Sequence, residues 1–525
     1  AQYHRLNLVA GRHGRVIVAQ NAGKRCLVES AWNFGRIGGA GLLYGDISQM
    51  TDPFAILTLI VCVPFLGMLF VLTSKEDDLS RTHNGSNVAI FTIIANLVLI
   101  WRVFMLIDEN KPHLQLFEKF NWLPVPDINL VFAVDNLSLL MILAVHLVIL
   151  TGIIFSRSET ARQKSTMVFT LLFLSMSTGL FVAADIFSFF IFFEAVLLPL
   201  FMLIGLSGGL KKTERTDGFL LYNLIGALVL FVGILLIYQA YGSLTLDKAP
   251  KILWKKHHGY WIFGLLALGF ISRIPVWPFH YWIASISSKI KNPLVFIASA
   301  VLPLSGIYGL IRFWPRYIPL EVSQYFVWVN VIGTVTMLFI GLIGLSNKES
   351  QYKIFAYVTV GYIMYLLGIF SQNKQIVANI GYALFGFLII AGALESLSAY
   401  IRSKSDSQDT TDEGFLCRAK RLSLVYSFIT VAAIGFPVSA VFTNNFLILS
   451  TLLAGNIQMG MVLIVSFLIV AGSLIEEMFR LKTESKDCAL GKSDDLPAGE
   501  FVFMLFIMFV LLMSFIRPLW FVVGR

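Results

Sequence analysis

An all-α, polytopic membrane protein of about 14 transmembrane helices is the fold class this sequence predicts, and three observations predict it. Apolar stretches, each near the ~20 residues a helix needs to cross a bilayer, follow one another along most of the 525-residue chain. The composition is 57% hydrophobic and 14% charged, with a mean hydropathy of +0.78, whereas charged residues make up about a quarter of a soluble domain. The stretches also lack the period-two alternation of a membrane barrel, so their backbone groups must be satisfied within helices. The links between them are too short for a soluble catalytic domain.

In order, spans are expected at 53–73, 88–107, 133–155, 167–184, 186–206, 218–240, 259–276, 293–313, 324–345, 354–370, 376–398, 422–450, 458–476 and 500–522. Asp135 and Asp185 stand at the starts of the third and fifth, where a carboxylate suits a helix N-terminus. The seventh runs into a break at Pro275 and Pro278, and the twelfth is interrupted by Gly435 and Pro437. Residues 403–413 and 483–495 are polar enough to be solvated linkers. Residues 1–50 form a basic N-terminal extension rich in Gly, Arg and Asn and too polar to span. Two readings of it stand: an organelle-targeting remnant, or a surface arm against a neighbouring subunit or lipid headgroups. Residues 51–525 are the bundle.

The net charge of +9 would suggest nucleic acid in a soluble protein. Here most Lys and Arg residues fall in the links after odd-numbered spans, which places those links on the cytoplasmic or matrix side, and no nucleic-acid partner is expected. Cys26, Cys62, Cys417 and Cys488 lack CxxC spacing and are expected to be isolated thiols, with no zinc or iron–sulfur site. No GxGxxG follows a strand, so neither nucleotide nor other cofactor is expected on this chain.

Glu194 lies near the middle of IFSFFIFFEAVLLPLFMLIGL (186–206). A charge at that depth costs at least ~2.5 to 3.5 kcal/mol, so it marks a proton or ion path or is paired. Arg102, Arg312 and Arg517 lie near span ends, from which they are expected to snorkel to the interface. Arg273 differs, because it sits in GFISRIPVWPF (269–279), where two prolines break the helix and the freed backbone must line a polar cavity. Pairing with Glu194 across helices would lower the burial cost of both charges; the alternative is an interfacial helix end. A second interruption, AAIGFPVSAVF (432–442), comes five spans later. Matched breaks of this kind point to two inverted five-helix repeats, here at about 167–313 and 324–476.

Several of these stretches resemble NADH dehydrogenase subunit 4, the antiporter-like membrane-arm subunit of respiratory complex I. FNWLPVPDINLVFAVDNLSLL (120–140) resembles the family segment ending in Asp-Gly-Leu-Ser, and DIFSFFIFFEAVLLPLFMLIG (185–205) its Phe-Phe-Glu-x-x-Leu-x-Pro block. ISRIPVWPFHYWI (271–283) resembles Val-Lys-x-Pro-x-x-Pro-Phe-His-x-Trp-Leu with Arg273 for the lysine. YGLIRF (308–313), IFAYVTVGYIMYLLG (354–368) and AAIGFPVSAVFTNNFLIL (432–449) continue the match in order.

The resemblance implies that Glu194 pairs with the cation of the broken helix and that protons move along a mid-membrane axis. Departures are equally specific: Pro303 and Leu304 stand where the family has a lysine, Tyr362 and Phe385 where it has histidines, and Asn445 where it has a glutamate. Arg for Lys matters because guanidinium keeps its proton. The candidate proton-path residues are therefore Glu194, Arg273, His280, Tyr362, Glu395 and Asn445, with helix breaks at Pro275, Pro278, Gly435 and Pro437.

By the same resemblance, the chain is expected to serve proton-pumping NADH:ubiquinone oxidoreductase without a redox centre of its own. FMN, iron–sulfur clusters, NADH and ubiquinone belong to the parent complex. Expected partners are other membrane-arm subunits, especially subunit 5-like and subunit 2-like ones, and lipids such as cardiolipin. The location is a mitochondrial inner membrane, or alternatively a bacterial plasma membrane. Two other functions stand beside this one: a structural subunit whose proton path no longer conducts, and a subunit of a multisubunit sodium/proton antiporter.

Overall fold

The structure is a computed structural model, and it describes residues 55–74, 84–108, 113–123, 128–156, 163–207, 212–241, 258–280, 282, 292–317, 326–371, 373–408, 413–483 and 495–523, with two short strands nearer the N-terminus. The chain divides into two compact units, Ala1–Gln49 and Met50–Arg525. In the first, strands β1 (Val9–Ala10) and β2 (Val16–Ile17) pair antiparallel.

The second unit is a helical bundle. Its helices are α1 (Ile56–Thr73), α2 (Asn84–Leu106), α3 (Asn136–Phe155), α4 (Gln163–Val182), α5 (Ile186–Ala195), α6 (Leu197–Ser207), α7 (Lys212–Tyr241), α8 (His258–Ile271) and α9 (Pro293–Tyr317). They continue with α10 (Phe326–Ser346), α11 (Ser350–Phe370), α12 (Lys374–Gln408), α13 (Phe415–Arg418), α14 (Lys420–Ala433), α15 (Ala440–Gly455), α16 (Ile457–Lys482) and α17 (Ala498–Val523). Among the described residues, twelve helical segments are long and apolar enough to cross a membrane, with α5 and α6 counted as one; α15 and the apolar part of α8 are shorter. The protein is a multi-pass, all-α membrane protein in its architecture.

Burial sorts these helices into two layers. α9 and α11 are enclosed on nearly every side, with α12, α3 and α4 close behind, whereas α1, α2, α7, α10, α16 and α17 turn large apolar residues outward. Phe91, Trp328, Val502 and Leu228 belong to those outward faces. In water such faces would be unstable, but in a bilayer the lipid covers them.

Three departures from the sequence expectation have local causes. The segment between α2 and α3 forms an antiparallel hairpin of β3 (Gln115–Leu123) and β4 (Ile128–Val134), which the hydropathy pattern does not announce. Its Glu118 carboxylate accepts from the backbone N–H groups of Leu57 (2.7 Å) and Thr58 (2.9 Å), filling the role of an N-cap that Ala55 cannot play. The span expected at 422–450 is two helices, α14 and α15. They are separated because Gly435 takes φ +91°, which only glycine adopts without strain, and Pro437 has no N–H. Cys417 is disulfide-bonded, so the expectation of isolated thiols fails there; Cys62 is free.

Pro64 interrupts α1 more gently. Its missing N–H leaves the Ile60 carbonyl without a helical donor, and the Asn96 side-chain amide from α2 supplies one at 3.0 Å. That contact orients the amide, because a carbonyl only accepts. The same NH2 group lies 2.8 Å from His146 Nε2, and His146 Nδ1 lies 2.8 Å from the Ile142 carbonyl. Nδ1 must therefore donate and Nε2 accept, which makes His146 a neutral imidazole in one tautomer. Ser175 of α4 donates to the adjacent Val61 carbonyl at 2.7 Å, so α1, α2, α3 and α4 are pinned at one level. Replacing Asn96 with Leu leaves the Ile60 carbonyl and His146 Nε2 without donors, each loss costing about 1–3 kcal/mol. The expected outcome is a lower thermal unfolding midpoint in detergent, and an unchanged midpoint would show that the pin carries no stability.

Candidate ion-pair site at the first helix break

After Ile271 the chain leaves the helix and runs through turns to His280. Its backbone is satisfied piecemeal, as membrane depth requires. Ser272 N–H donates to Leu268 O (2.9 Å), Ile274 N–H to Ile271 O (2.9 Å) and Trp277 N–H to Thr336 Oγ1 of α10 (3.1 Å), while Tyr222 of α7 donates to Ser272 O (3.2 Å). α9 approaches so closely that a Cβ at Gly306 would stand 2.5 Å from the Phe270 carbonyl oxygen. Glycine is what allows the break to pack against a helix there.

The break delivers Arg273 into the interior. Its guanidinium is fully buried, donates from Nη2 to Glu194 Oε1 at 2.9 Å and from Nη1 to Ser305 Oγ at 3.4 Å, and lies with Cζ 3.3 Å from the Phe193 ring centroid. Arg273 Nε has no partner. Phe189, Phe193, Phe270 and Phe313 wall this side with contacts of 5.0–6.2 Å between centroids. The Glu194 side chain is 25% exposed, whereas the Arg273 side chain is fully enclosed. Glu194 also stands two residues before a turn at Val196 that separates α5 from α6.

The other candidate residues stand elsewhere. Tyr362, fully buried in α11, donates to the Ala300 carbonyl of α9 at 2.5 Å. His280 keeps Nδ1 buried without a partner and sets its ring edge-on to Phe339. Glu395, three residues before the end of the 376–398 span, is fully buried, because α12 continues well past it and Arg402 of the same helix reaches back to its Oε1 at 2.7 Å. Its Oε2 is unpartnered. Asn445, eight residues beyond Pro437 of the second break, is buried with Oδ1 unpartnered. Of the six, only Glu194 and Arg273 are joined by a hydrogen bond.

Two charged groups stand deeper than the sequence places them. Arg312 does not snorkel: it is buried against Asp135, with Nη1 2.6 Å from Oδ2, and its Nη2 donates to Ser138 Oγ (2.7 Å) and Tyr308 OH (2.8 Å). Asp135 caps α3 through Ser138 N–H at 2.9 Å, and that fixed carboxylate is what draws Arg312 inward. Burial alone would raise the Asp135 carboxyl, but the Arg312 charge, its hydrogen bonds and those of Ser138 bring it below its ordinary 3.8. The second group is Lys353, expected in a link but fully buried in α11, with Nζ 3.2 Å from Glu476 Oε2 and 3.3 Å from Glu477 Oε2. Arg480 and Ser350 also donate to Glu477. Tyr426 of α14 lies in the field of both Glu477–Arg480 and Glu395–Arg402. Among the described residues no group of three His, Cys, Asp or Glu side chains is placed to hold a metal ion.

Residues 183–471, more than half the chain, match the model of the NADH:quinone oxidoreductase/Mrp antiporter transmembrane family. The chain belongs to this family. Among its relatives, NADH-quinone oxidoreductase subunit M of Rhodobacter capsulatus is 24% identical over 412 residues, covering 75% of this chain and 80% of the relative. NADH-ubiquinone oxidoreductase chain 4 of Marchantia polymorpha is 24% identical over 427 residues, covering 79% and 85%. The fold is similar to that of a chain in respiratory complex I from Thermus thermophilus with bound NADH, with a TM-score of 0.77 at 21% identity over 88% of this chain and 96% of that one.

Asp185, the cap of α5, offers a pH test. Burial pushes its carboxyl from 3.8 up to about 6, and hydrogen bonds from Ser188, Phe187 and Val131 offset only part of the rise. A carboxyl raised in the folded state contributes stability that is full below its unfolded value and is lost as pH rises through the folded one. The unfolding midpoint should therefore contain a component that falls between about pH 4 and pH 6, and Asp185→Asn should abolish it. The same slope in the variant would contradict the assignment.

Proposed function

We propose that this chain is a proton-translocating, antiporter-like membrane-arm subunit of NADH:ubiquinone oxidoreductase, with Glu194–Arg273 as its charge switch. The observation that carries the reading is a fully buried guanidinium, set beside a broken helix, whose hydrogen-bonded carboxylate is the partly exposed Glu194. Guanidinium keeps its proton at any working pH, so Arg273 biases Glu194 but relays nothing. Proton uptake is the task of Glu194. Once protonated, Glu194 no longer neutralises Arg273, whose remaining contacts are Ser305 and the Phe193 face. The cost of that lone buried charge drives the carboxyl to reorient or reionise, and neighbouring subunits sense the change electrostatically.

Two inverted repeats, at about 167–313 and 324–476, carry the two breaks, and residues 1–50 are an extension outside them. Subunit 5-like and subunit 2-like proteins flank the bundle, and lipids such as cardiolipin cover its outward apolar faces. NADH, FMN, iron–sulfur clusters and ubiquinone are held by other subunits of the enzyme. The membrane is a mitochondrial inner membrane, with a bacterial plasma membrane as the alternative. One observation favours a second reading, a structural subunit with a closed path: Tyr362 spends its hydroxyl proton on a backbone carbonyl rather than on a side-chain chain of donors.

Glu194→Gln should lower the protons moved per electron while the complex assembles normally; an unchanged ratio would sink the coupling role. Arg273→Ala leaves a carboxylate in the interior without its cation, a loss of about 3–5 kcal/mol, so it should impair assembly more than Glu194→Gln does. Equal assembly of the two variants would argue against the pair.

A further inference from the structure

Ser305 and Gly306 stand where α9 meets the first helix break. Ser305 donates its hydroxyl proton to the Leu302 carbonyl of its own helix at 2.7 Å, so towards Arg273 its oxygen can only accept, and it does so from Nη1 at 3.4 Å. Among the described residues Arg273 has two hydrogen-bond acceptors, this oxygen and Glu194 Oε1 at 2.9 Å, while its Nε–H has none. The Glu194 contact has ordinary length and the Ser305 contact is long for an N–H···O bond. A guanidinium with N–H groups to spare can close the longer one when the shorter is lost.

Two anchors fix where Ser305 stands. Beyond it, α9 is held by Arg312 on Asp135 and by the Tyr308 hydroxyl, which donates to the Phe181 carbonyl at 2.9 Å. Before it, Pro303 has no N–H to give the Ser299 carbonyl, so α9 is loosened in the turn 299–303. The Tyr362 hydroxyl of α11 enters that turn and donates to the Ala300 carbonyl at 2.5 Å, with its ring set edge-on to Phe387 of α12. Ser305 follows the proline by two residues and lies between the anchors. Gly306 leaves little slack, since a Cβ there would stand 2.5 Å from the Phe270 carbonyl oxygen and 3.5 Å from Arg273 Cβ.

We propose that Ser305 is the second seat of Arg273, accepting Nη1 at close range when Glu194 is protonated, and that Tyr362 is the positioning residue that sets Ser305 through the proline turn of α9. The proposal rests on the charge-switch reading above and adds the residue that receives the cation, together with a contact through which α11 reaches the site. Arg273 keeps its proton throughout, the proton gained by Glu194 stays on that carboxyl, and the Ser305 proton stays on the Leu302 carbonyl. Tyr362 touches neither charge. Its hydroxyl proton is committed to a backbone carbonyl, so it acts by holding α9.

The test uses the assembled enzyme in sealed vesicles and reads protons moved per electron alongside NADH oxidation. Ser305→Ala removes the acceptor and should lower the ratio, and Ser305→Thr, which keeps a hydroxyl able to bond back to its own helix, should restore it. Tyr362→Phe keeps the ring against Phe387 and should also lower the ratio, yet add no further loss in combination with Ser305→Ala, because it acts through that oxygen. An unmutated ratio in Ser305→Ala, equal losses in Ser305→Ala and Ser305→Thr, or additive losses in the double variant would each overturn the proposal. If Glu194→Gln lowers the ratio in that case, the proposed function stands; if Glu194→Gln and Ser305→Ala both pump at the unmutated ratio, it falls as well. Should Tyr362→Phe fail to assemble, the contrast between Ser305→Ala and Ser305→Thr decides alone.

Discussion

A guanidinium shut away from water must be neutralised by the protein itself, and Arg273 has one carboxylate to do it. Much of the surrounding architecture follows from that requirement. Glu194 must stand near the middle of its span, the helix carrying Arg273 must break so that the side chain can leave its axis, and Gly306 must be small enough for α9 to close on the break. The broken backbone then needs donors and acceptors from its neighbours, which Thr336 and Tyr222 provide. A lipid-facing protein has no other way to complete these contacts.

The same constraint recurs at other polar positions of the interior. Pro64 leaves a carbonyl that Asn96 fills, and the filled carbonyl then decides the tautomer of His146. Asp135 caps a helix and in doing so creates the buried negative charge that holds Arg312. Lys353 enters the bundle because two carboxylates on one helix end receive it. Each of these polar residues has a structural role, so burial alone does not mark function. What separates Glu194 is its partner: the cation it joins sits in a broken helix.

How legible this was in the sequence depends on whether the signal is local. Span positions and the two breaks could be read from hydropathy and from Pro275, Pro278, Gly435 and Pro437, because apolar length and missing N–H groups act within a few residues. The β3–β4 hairpin escaped, since its short strands sit between far stronger apolar signals. Arg312 and Lys353 were misplaced for a different reason: their partners Asp135 and Glu477 lie 177 and more than 100 residues away in the chain, and distance from a span end says nothing of such pairs. Glu395 lies deeper than the span bounds of 376–398 would place it, because α12 runs to Gln408, past the point where its apolar pattern stops. For the site, the Glu194–Arg273 contact was anticipated from burial cost, whereas the Ser305 and Phe193 contacts that complete it carry no sequence signature.

The central claim is that the Glu194–Arg273 pair changes state during turnover. Density maps of the assembled enzyme, at rest and during steady NADH oxidation, would test it most directly. At rest the guanidinium should contact the carboxylate at close to 2.9 Å, and during turnover a distinct population should show Glu194 turned away. A single contact of unchanged length in every class of particle would contradict the account and leave the pair as a fixed strut.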